Sequence, residues 1–334
     1  MTKATKMSDI AKRFNVSNVT VSKALSDKDG VSAELREKIK AAAVEMGYRY
    51  NTAAKSLKEG RNYNIGVLIP ERFIGINTSF YWTLHNNIAK ELMGHNYYCI
   101  MEVLKPEDEA GNQLPRIIQE NKVDGVIILG QTADSYIKFI TAAFKSLVFL
   151  DFYDKNVEVD TILTDNFFDM YRLTDYVLQM GHRKLAFVGS IKATSSIQDR
   201  YMGYLKALVE NNIPLSEAAP IEDRDTDGMF IDIPFPKNMP TAFICNCDDT
   251  AMVVMKKLAE RGYSIPGDIS VVGFDNHLMS ELYEPQITTV AVNISEMAKT
   301  AVELILNKIS HPNAKPQRRL ISGSLLIRSS VKKN

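Results

Sequence analysis

Three aspartates and one arginine stand where a folded chain could bring them to one small-molecule cleft. They are Asp151, Asp248, Asp275 and Arg200. Each aspartate follows an apolar run typical of a buried strand, and the arginine begins a helical pattern. Because ligands of open parallel sheets bind beyond the carboxyl ends of the strands, we expect the four to converge. Carboxylates and a guanidinium can each form two hydrogen bonds with hydroxyl groups, so the set suits a polyhydroxylated ligand.

Aromatic rings stand close to the start of the same region of the chain. Phe80, Tyr81 and Trp82 form its only run of three rings, and Trp82 is its only tryptophan. Such rings stack on the C–H face of a sugar, so we expect Tyr81 and Trp82 to contact ligand. Two structural alternatives stay open: Asp248 caps the helix that follows it, and Trp82 packs at a lobe or dimer surface.

The elements that must position these side chains alternate between short apolar runs and amphipathic helical patterns. The runs are residues 65–69, 97–101, 125–129, 147–150, 185–188, 242–245 and 270–274. The clearest helical patterns are residues 169–180, 200–211 and 249–261. Nearly continuous apolar strands are typical of sheets covered on both faces, so we predict an α/β fold with two doubly wound lobes of parallel sheet.

The first sixty residues have a different pattern, that of three short helices. An amphipathic helix spans Met7–Phe14, and Ser17 is a good N-cap for a second helix that ends at Leu25. Ser32 begins a third. Two helices joined by a tight turn and closed by a third have helix-turn-helix geometry, in which the second helix can enter a major groove of double-stranded DNA.

Charge supports this interpretation over that of a generic helical mini-domain. Residues 1–62 hold 13 Lys and Arg against seven Asp and Glu, a net charge of +6. Since the whole chain balances at 40 against 40, the remainder carries −6. A basic head on an acidic body is what contact with phosphates at one end requires.

Three segments of the head carry a family resemblance: MSDIAKRFNVSNVTVSKALS at residues 7–26, VSAELREKI at 31–39 and MGY at 46–48. They closely resemble the head of the lactose/galactose repressor (LacI/GalR) family, and the resemblance extends over nearly the whole chain. It implies a DNA-binding head at residues 1–50, a hinge helix at 51–61 and an effector-binding and dimerisation core at 62–334. The core resembles a periplasmic binding protein, with lobe 1 at about 62–162 and 290–322 and lobe 2 at about 163–289 and 323–334.

The resemblance also implies which residues meet DNA. The contacts from the head are Lys6, Ser17, Asn18, Val19, Thr20, Ser22 and Lys23. Those from the hinge are Asn51, Ala54 and Leu57, with Leu57 matching the leucine that wedges between base pairs of the minor groove. Asn18, Val19, Ser22 and Lys23 lie opposite the apolar face of the second helix, whereas Lys6 and Thr20 are expected on the DNA backbone.

In the core, the family's effector motifs match at Tyr81, Arg200 and Asp275. Arg200 begins an Arg-x-x-Gly-aromatic motif, and Asp275 ends a Val-Gly-aromatic-Asp motif. The chain departs from the family where Cys247 replaces the asparagine of an Asn-Asp pair, while Asp248 keeps its place. Tyr50 also replaces the usual proline before the hinge.

These observations predict an allosteric transcriptional repressor of carbohydrate-utilisation genes. We expect a homodimer, without a tetramerising tail, on a pseudo-palindromic operator and under the control of a sugar bound between the lobes. A purine or a phosphorylated metabolite is the alternative effector. A solute-binding receptor and a nucleotide-using enzyme are less well supported, because there is neither a leader segment nor a phosphate-binding glycine loop.

The remaining composition limits where such a protein works. Three cysteines cannot all pair and no apolar run reaches membrane-spanning length, so we expect a cytoplasmic protein with no membrane partner. We expect no cofactor and no metal. Residues 223–228 begin like a calcium loop but have Pro234 at the twelfth position, so the sequence favours a solvated acidic turn.

Overall fold

The computed structural model describes residues 5–48, 59–74, 79–225 and 228–334. The chain divides into two compact units, Met1–Asn62 and Tyr63–Asn334. The expected hinge contacts Asn51, Ala54 and Leu57 lie outside the described residues. No helix in the described ranges is both long and apolar enough to cross a membrane.

The head contains three helices, α1 (Met7–Phe14), α2 (Asn18–Leu25) and α3 (Ala33–Glu45). The predicted N-caps are present: the Ser17 hydroxyl accepts the amide N–H of Thr20 at 3.1 Å, and that of Ser32 accepts the amide N–H of Leu35 at 3.4 Å. Each cap satisfies a donor that the first turn of a helix leaves open.

A small apolar core holds the three helices together. Ile10, Val21, Ala24 and Ile39 are fully buried in it, one or two from each helix. Burying a side chain the size of isoleucine contributes about 1.5–3 kcal/mol, so a few such residues carry most of the stability of so small a unit.

The core unit contains one large parallel sheet. Its strands are β1 (Asn64–Pro70), β2 (Tyr98–Leu104), β3 (Gly125–Leu129), β4 (Leu147–Leu150), β5 (Asp160–Thr164) and β10 (Arg318–Ile321). They lie in the order β10-β5-β4-β3-β1-β2, and all pairs are parallel. The helices that cover this lobe are α4 (Ser79–Gly94), α5 (Pro106–Ala110), α6 (Arg116–Gln119), α7 (Asp134–Ala143) and α12 (Ile294–Ser310).

The second lobe is built on a smaller parallel sheet in the order β6-β7-β8. Its strands are β6 (Leu185–Val188), β7 (Ala242–Cys245) and β8 (Ser270–Val272), and its helices are α8 (Asn166–Gln179), α9 (Ser195–Glu210), α10 (Asp248–Glu260) and α11 (Leu278–Leu282). A separate antiparallel pair joins β9 (Thr289–Ala291) to β11 (Ser324–Leu326). The chain passes from one lobe's elements to the other's after β5, around β9 and between β10 and β11.

The structure corrects the predicted bounds of several elements. The strand predicted at 97–101 begins at Tyr98 and continues to Leu104, and the one at 270–274 ends at Val272. Arg200 does not begin a helix: α9 begins at Ser195, capped by Thr194, whose hydroxyl accepts the amide N–H of Ile197 at 3.2 Å. The first turn of α9 is mostly polar, so apolar periodicity could not reveal it.

Candidate functional site

A cavity of about 430 Å³ lies between the two sheets of the core unit. Phe80, Tyr81, Asp151 and Ile294 line it from the first lobe. Arg200, Asp249, Asp275, His277 and Glu281 line it from the second. The aspartates follow the carboxyl ends of β4, β7 and β8, which is where parallel sheets present ligand-binding side chains.

Arg200 is held in one position by partners on three sides. Its Nε donates to the Asn166 side-chain oxygen at 2.7 Å, and one terminal nitrogen donates to the Asn246 carbonyl at 2.7 Å. The other donates to Asp275 Oδ1 at 3.1 Å. The guanidinium also lies 3.8 Å from the centroid of the Phe274 ring, a cation–π distance. This buried side chain is therefore set before any ligand arrives.

Asp275 shares that environment. It directly follows Phe274, with a backbone φ of 104°, a left-handed value that few non-glycine residues adopt. Burial raises the pKa of Asp275 to about 7, even though the Arg200 guanidinium lowers it. The carboxyl is therefore close to its titration point near neutrality.

Tyr81 and Asp151 form the corresponding polar pair of the first lobe. The Tyr81 hydroxyl donates to Asp151 Oδ2 at 2.9 Å. Asp151 is only 7% exposed, and its Oδ1 has no hydrogen-bond partner among the described residues. Burial raises the pKa of Asp151 to about 6. The pair leaves Asp151 Oδ1 as a buried acceptor without a partner in the described part of the chain.

In the head, the polar side of α2 faces solvent. Asn18, Val19 and Lys23 are exposed, and Val19 is 64% exposed, which is unusual for an aliphatic side chain in a small domain. Ser17 is exposed as well, and Thr20 and Ser22 are half-buried. This surface has the shape and polarity of a helix that enters a groove.

The charges of the head are unevenly partnered. Four basic side chains on α1 and α3 form ion pairs with head carboxylates: Arg13, Arg36, Lys38 and Lys40. Four others, on and around α1 and α2, form none with any described residue: Lys6, Lys12, Lys23 and Lys28. Unpaired cations beside an exposed polar helix are suited to phosphate contact.

Comparison with known proteins decides the family. Residues 6–51 match the family model for bacterial regulatory proteins of the lacI family, and residues 174–331 match that for the periplasmic binding protein-like domain. The chain is a LacI-family transcriptional regulator. The family consists of DNA-binding regulators rather than enzymes.

Two curated relatives and one solved structure span nearly the whole regulator. The HTH-type transcriptional regulator RegA of Clostridium saccharobutylicum is 28% identical, over 98% of this chain and 99% of its own. The ribose operon repressor of Haemophilus influenzae is 26% identical, over 97% and 98%. The fold is that of the lac repressor dimer bound to operator and the anti-inducer ONPF, with a TM-score of 0.79 at 23% identity, over 99% and 100% of the two chains.

Two of the predicted effector residues of this LacI-family regulator lie outside the cavity lining. Asp248 is fully buried behind it, with Oδ1 accepting the Thr289 hydroxyl and Oδ2 accepting the His277 amide, both at 2.7 Å. Burial raises the pKa of Asp248 to about 8. Trp82 is 39% exposed and packs edge-on against His85. The position of Trp82 matches its structural alternative of packing at a lobe surface. Asp248 does not cap α10, whose N-cap is Cys247 without a side-chain cap hydrogen bond, so helix capping does not account for this aspartate.

Two residues that the sequence did not single out line the regulator's cavity instead. Asp249, the second residue of α10, has a buried Oδ1 without a hydrogen-bond partner among the described residues, and burial raises its pKa. His277 Nδ1 accepts the amide N–H of Met279 at 3.3 Å, which leaves Nε2 as a donor, also unpartnered. The sequence could have indicated both residues by their position, because Asp249 directly follows Asp248 and His277 lies shortly after Asp275.

The expected solvated acidic turn at residues 223–228 is wrong at its first residue. Asp223 is fully buried and accepts the Ser190 amide at 2.9 Å, the Thr250 hydroxyl at 2.7 Å and the Asn246 side-chain amide at 2.7 Å. Arg224 adds a two-pronged ion pair with the same carboxylate. Spacing of acids alone could not show that this aspartate turns inward.

The same network accounts for Cys247, the regulator's departure from its family. The Cys247 sulfur lies 3.2 Å from the Thr250 hydroxyl and 3.8 Å from a terminal nitrogen of Arg224. Burial raises the pKa of the Cys247 thiol to about 12, so it stays protonated. Cys247 and Asn246 therefore belong to the support of the cavity rather than to its lining.

Proposed function

We propose that this regulator represses carbohydrate-utilisation genes as a homodimer on a pseudo-palindromic operator, under the control of a sugar bound in the cavity. The observation that carries the proposal is the pair of polar centres, Arg200 with Asp275 and Tyr81 with Asp151, which line one cavity from two lobes. Their open acceptors and the rings of Phe80 and Tyr81 suit a polyhydroxylated ring.

Charge argues against the phosphorylated alternative. Arg200 is the one arginine among the described residues that line the cavity, and three of its nitrogens already donate to protein groups. Asp151, Asp249 and Asp275 would repel a phosphate that found no free cation. A neutral purine is not repelled, but it would leave the carboxylate acceptors with few donors.

For the head, we propose that α2 lies in the major groove. Asn18, Val19, Ser22 and Lys23 would read base edges there, and Lys6, Ser17 and Thr20 would hold the backbone. The support is the exposed polar face of α2 and the four unpaired lysines around it. A hinge at residues 51–61, with Asn51, Ala54 and Leu57 on the minor groove, completes the scheme.

The homodimer rests on apolar surface that the core unit leaves exposed. Leu282 of α11 is 66% exposed, and Met93 and Tyr98 are 74% and 68% exposed. Large exposed apolar side chains on both lobes offer surface for association. A two-fold dimer would present two heads to the two halves of a pseudo-palindrome.

Control would follow from a ligand that contacts both lobes. If the sugar binds one arrangement of the lobes more tightly than the other, it shifts the population between them, and linkage then changes operator affinity by the same factor. The lobes would transmit this change through the spacing of the two hinges.

Footprinting the DNA upstream of the gene, with and without a panel of sugars, tests the proposal. We expect sequence-specific protection. One sugar should change the protein concentration needed for half-maximal protection at least tenfold. Arg200→Met should abolish the response to the sugar, since it leaves Asp275 buried without its cation. Arg116→Met, at a highly exposed position, is the matched control. Absence of specific protection under all conditions rejects the proposal.

A further inference from the structure

Two hydrogen bonds join the lobes away from the points where the chain passes between them. The amide N–H of Ser195 donates to Gln131 Oε1 at 2.8 Å, and the Tyr153 hydroxyl donates to Asp199 Oδ1 at 3.2 Å. Gln131 follows β3 and Tyr153 follows β4 of the first lobe, whereas Ser195 and Asp199 lie about one turn apart on α9 of the second. Both bonds therefore hold the start of one helix to the facing lobe.

The bond from Ser195 completes the cap of α9 from outside its own lobe. The first N–H groups of a helix have no partner within it. The Thr194 hydroxyl, in the same lobe, accepts that of Ile197 at 3.2 Å, but that of Ser195 is accepted by Gln131 of the other lobe. Separation of the lobes would thus leave the Ser195 N–H without its acceptor. The Ser195 hydroxyl oxygen is buried and has no partner in the described residues, so this contact leaves it no access to solvent.

The first lobe holds Gln131 in place for this contact. Arg72 donates to the Gln131 carbonyl and forms an ion pair with Glu109 at 2.7 Å. Glu109 is only 3% exposed and also accepts the amide N–H of Ala133 at 2.8 Å. A buried carboxylate therefore fixes the loop after β3, so little further ordering is needed when the lobes meet.

The bond from Tyr153 is supported in a similar way. The Arg318 guanidinium lies 4.5 Å from the centroid of the Tyr153 ring, a cation–π distance that holds the ring in place. The acceptor is a carboxylate, and hydrogen bonds to charged groups are among the stronger ones in proteins.

We propose that these two hydrogen bonds form a latch that holds the lobes together in the regulator without effector. Ser196 and Arg200 of the same part of α9 line the cavity, so a ligand there contacts the helix that the latch holds. The population of latched molecules then scales the apparent affinity for every ligand that needs this arrangement of the lobes. The latch goes beyond the sugar control proposed above and does not depend on which effector binds.

The test follows hydrogen–deuterium exchange in the first turn of α9, in the full chain without sugar or DNA. Tyr153→Phe removes the hydroxyl and keeps the ring, and that hydroxyl bonds Asp199 rather than the Ser195 amide. If one opening of the lobes breaks both bonds, the variant should still speed exchange of the Ser195 amide at least about fivefold, the change in population for one lost hydrogen bond. Gln131→Ala removes the acceptor itself and gives the upper reference rate.

Two further variants make the test specific. Tyr171→Phe also removes a tyrosine hydroxyl that donates to a carboxylate, Glu210 at 2.6 Å, but this bond lies between α8 and α9 within one lobe. Its exchange at Ser195 should stay within about twofold of wild type. Asp199→Ala removes the other end of the Tyr153 bond, so it should match Tyr153→Phe, and the two combined should add less than about twofold.

The outcomes decide whether the two bonds act together. A rise in exchange confined to Gln131→Ala would show loss of a local helix cap and would overturn the latch. Equal acceleration in Tyr171→Phe would mean that α9 loosens after any lost contact, which rejects the latch as well. Either result leaves the sugar control to be judged by footprinting alone, because this experiment contains neither sugar nor DNA.

Discussion

The head and the core both carry charged side chains that lack partners, but in opposite surroundings. In the head, lysines such as Lys6 and Lys23 point into water. In the core, Asp151 is only 7% exposed and forms no ion pair with a described residue, and its Oδ1 accepts no hydrogen bond there. Water solvates an exposed charge at little cost in free energy. A buried charge is strongly unfavourable until an opposite charge or a hydrogen-bond donor pairs with it.

This difference explains how one chain can recognise two very different partners. Exposed cations attract any polyphosphate at long range and are screened by salt, so they give affinity and leave specificity to base contacts. Buried carboxylates act over a few ångströms and reject ligands that cannot pair with them. The head therefore suits a long uniform polymer and the cavity one small molecule.

The largest expected effect comes from a large-to-small substitution in the apolar interior of the head, which should destabilise the head and not the core unit. Ile39→Ala should remove about 2–5 kcal/mol, because Ile39 is fully buried where α3 meets α1 and α2. A three-helix unit of this size has little stability to lose, so operator binding in gel-shift assays should disappear. The melting of the core, followed by the fluorescence of Trp82, should not change.

Val44→Ala on the same helix is the control, since Val44 is 82% exposed, and it should leave operator binding within twofold of wild type. Loss of the core's melting transition in Ile39→Ala would show that the units do not fold independently, and the comparison above would then fail.

A second test destabilises the core unit instead of the head. Gly203 lies in α9 where that helix meets α8, and an added Cβ would be 2.2 Å from the Phe167 carbonyl oxygen and 2.9 Å from the Tyr171 nitrogen. Since backbone cannot rotate away, Gly203→Ala should lower the free energy of unfolding of the core by at least about 1–3 kcal/mol in urea titrations.

Gly94→Ala at the end of α4 meets nothing within 4 Å and should stay within about 0.5 kcal/mol of wild type. Specific DNA binding by the head should survive in Gly203→Ala below its new unfolding midpoint. Equal stability of the two variants would contradict the close helix contact.

The fold was largely predictable because its signals are local. The buried strands such as Gly125–Leu129 are unbroken apolar runs, and Ser17 and Ser32 mark helix starts through their own chemistry. Two of the strands that the pattern missed, Asp160–Thr164 and Arg318–Ile321, carry polar or charged residues and are defined by pairing with distant parts of the chain. Nothing within either segment specifies that pairing.

The cavity was less predictable, for a reason that Asp248 and Asp249 illustrate. Adjacent residues at the start of a helix differ by about 100° in direction, so one turns to Thr289 and the other to the cavity. Their position after the end of β7 predicts that both aspartates lie near the cavity. Which of the two side chains faces the cavity depends on the local backbone conformation. The same limit applies to Asp223, whose inward turn depends on Ser190 and Thr250.

A third prediction concerns the unpaired lysines of the head. Lys6→Ala should weaken binding to specific and non-specific DNA alike and lower the slope of log K against log salt by about 1, the loss of one phosphate contact. Lys38→Ala removes the same charge from a lysine already paired with Glu34 at 2.6 Å, so its slope should match wild type. Equal changes in both variants would mean that only net charge matters, not the surface around α2.

The smallest expected effect is a pH dependence in the core without ligand. Burial raises the pKa of Asp275 to about 7 and that of Asp248 to about 8, far above their ordinary value of 3.8. Between pH 6.5 and 8.5 the unfolded chain keeps both ionised, while the folded chain still binds their protons at the lower end. The folded state therefore loses protons as pH rises, and stability must fall.

We expect the melting temperature of the core, again reported by Trp82, to drop by roughly 2–5 °C across that range. Asp248→Asn should flatten the slope, because the amide stays neutral like the protonated carboxyl that it replaces. A melting temperature that rises with pH in the free protein would mean that these carboxylates are charged and satisfied without a ligand, and the contrast with the head's solvated lysines would disappear.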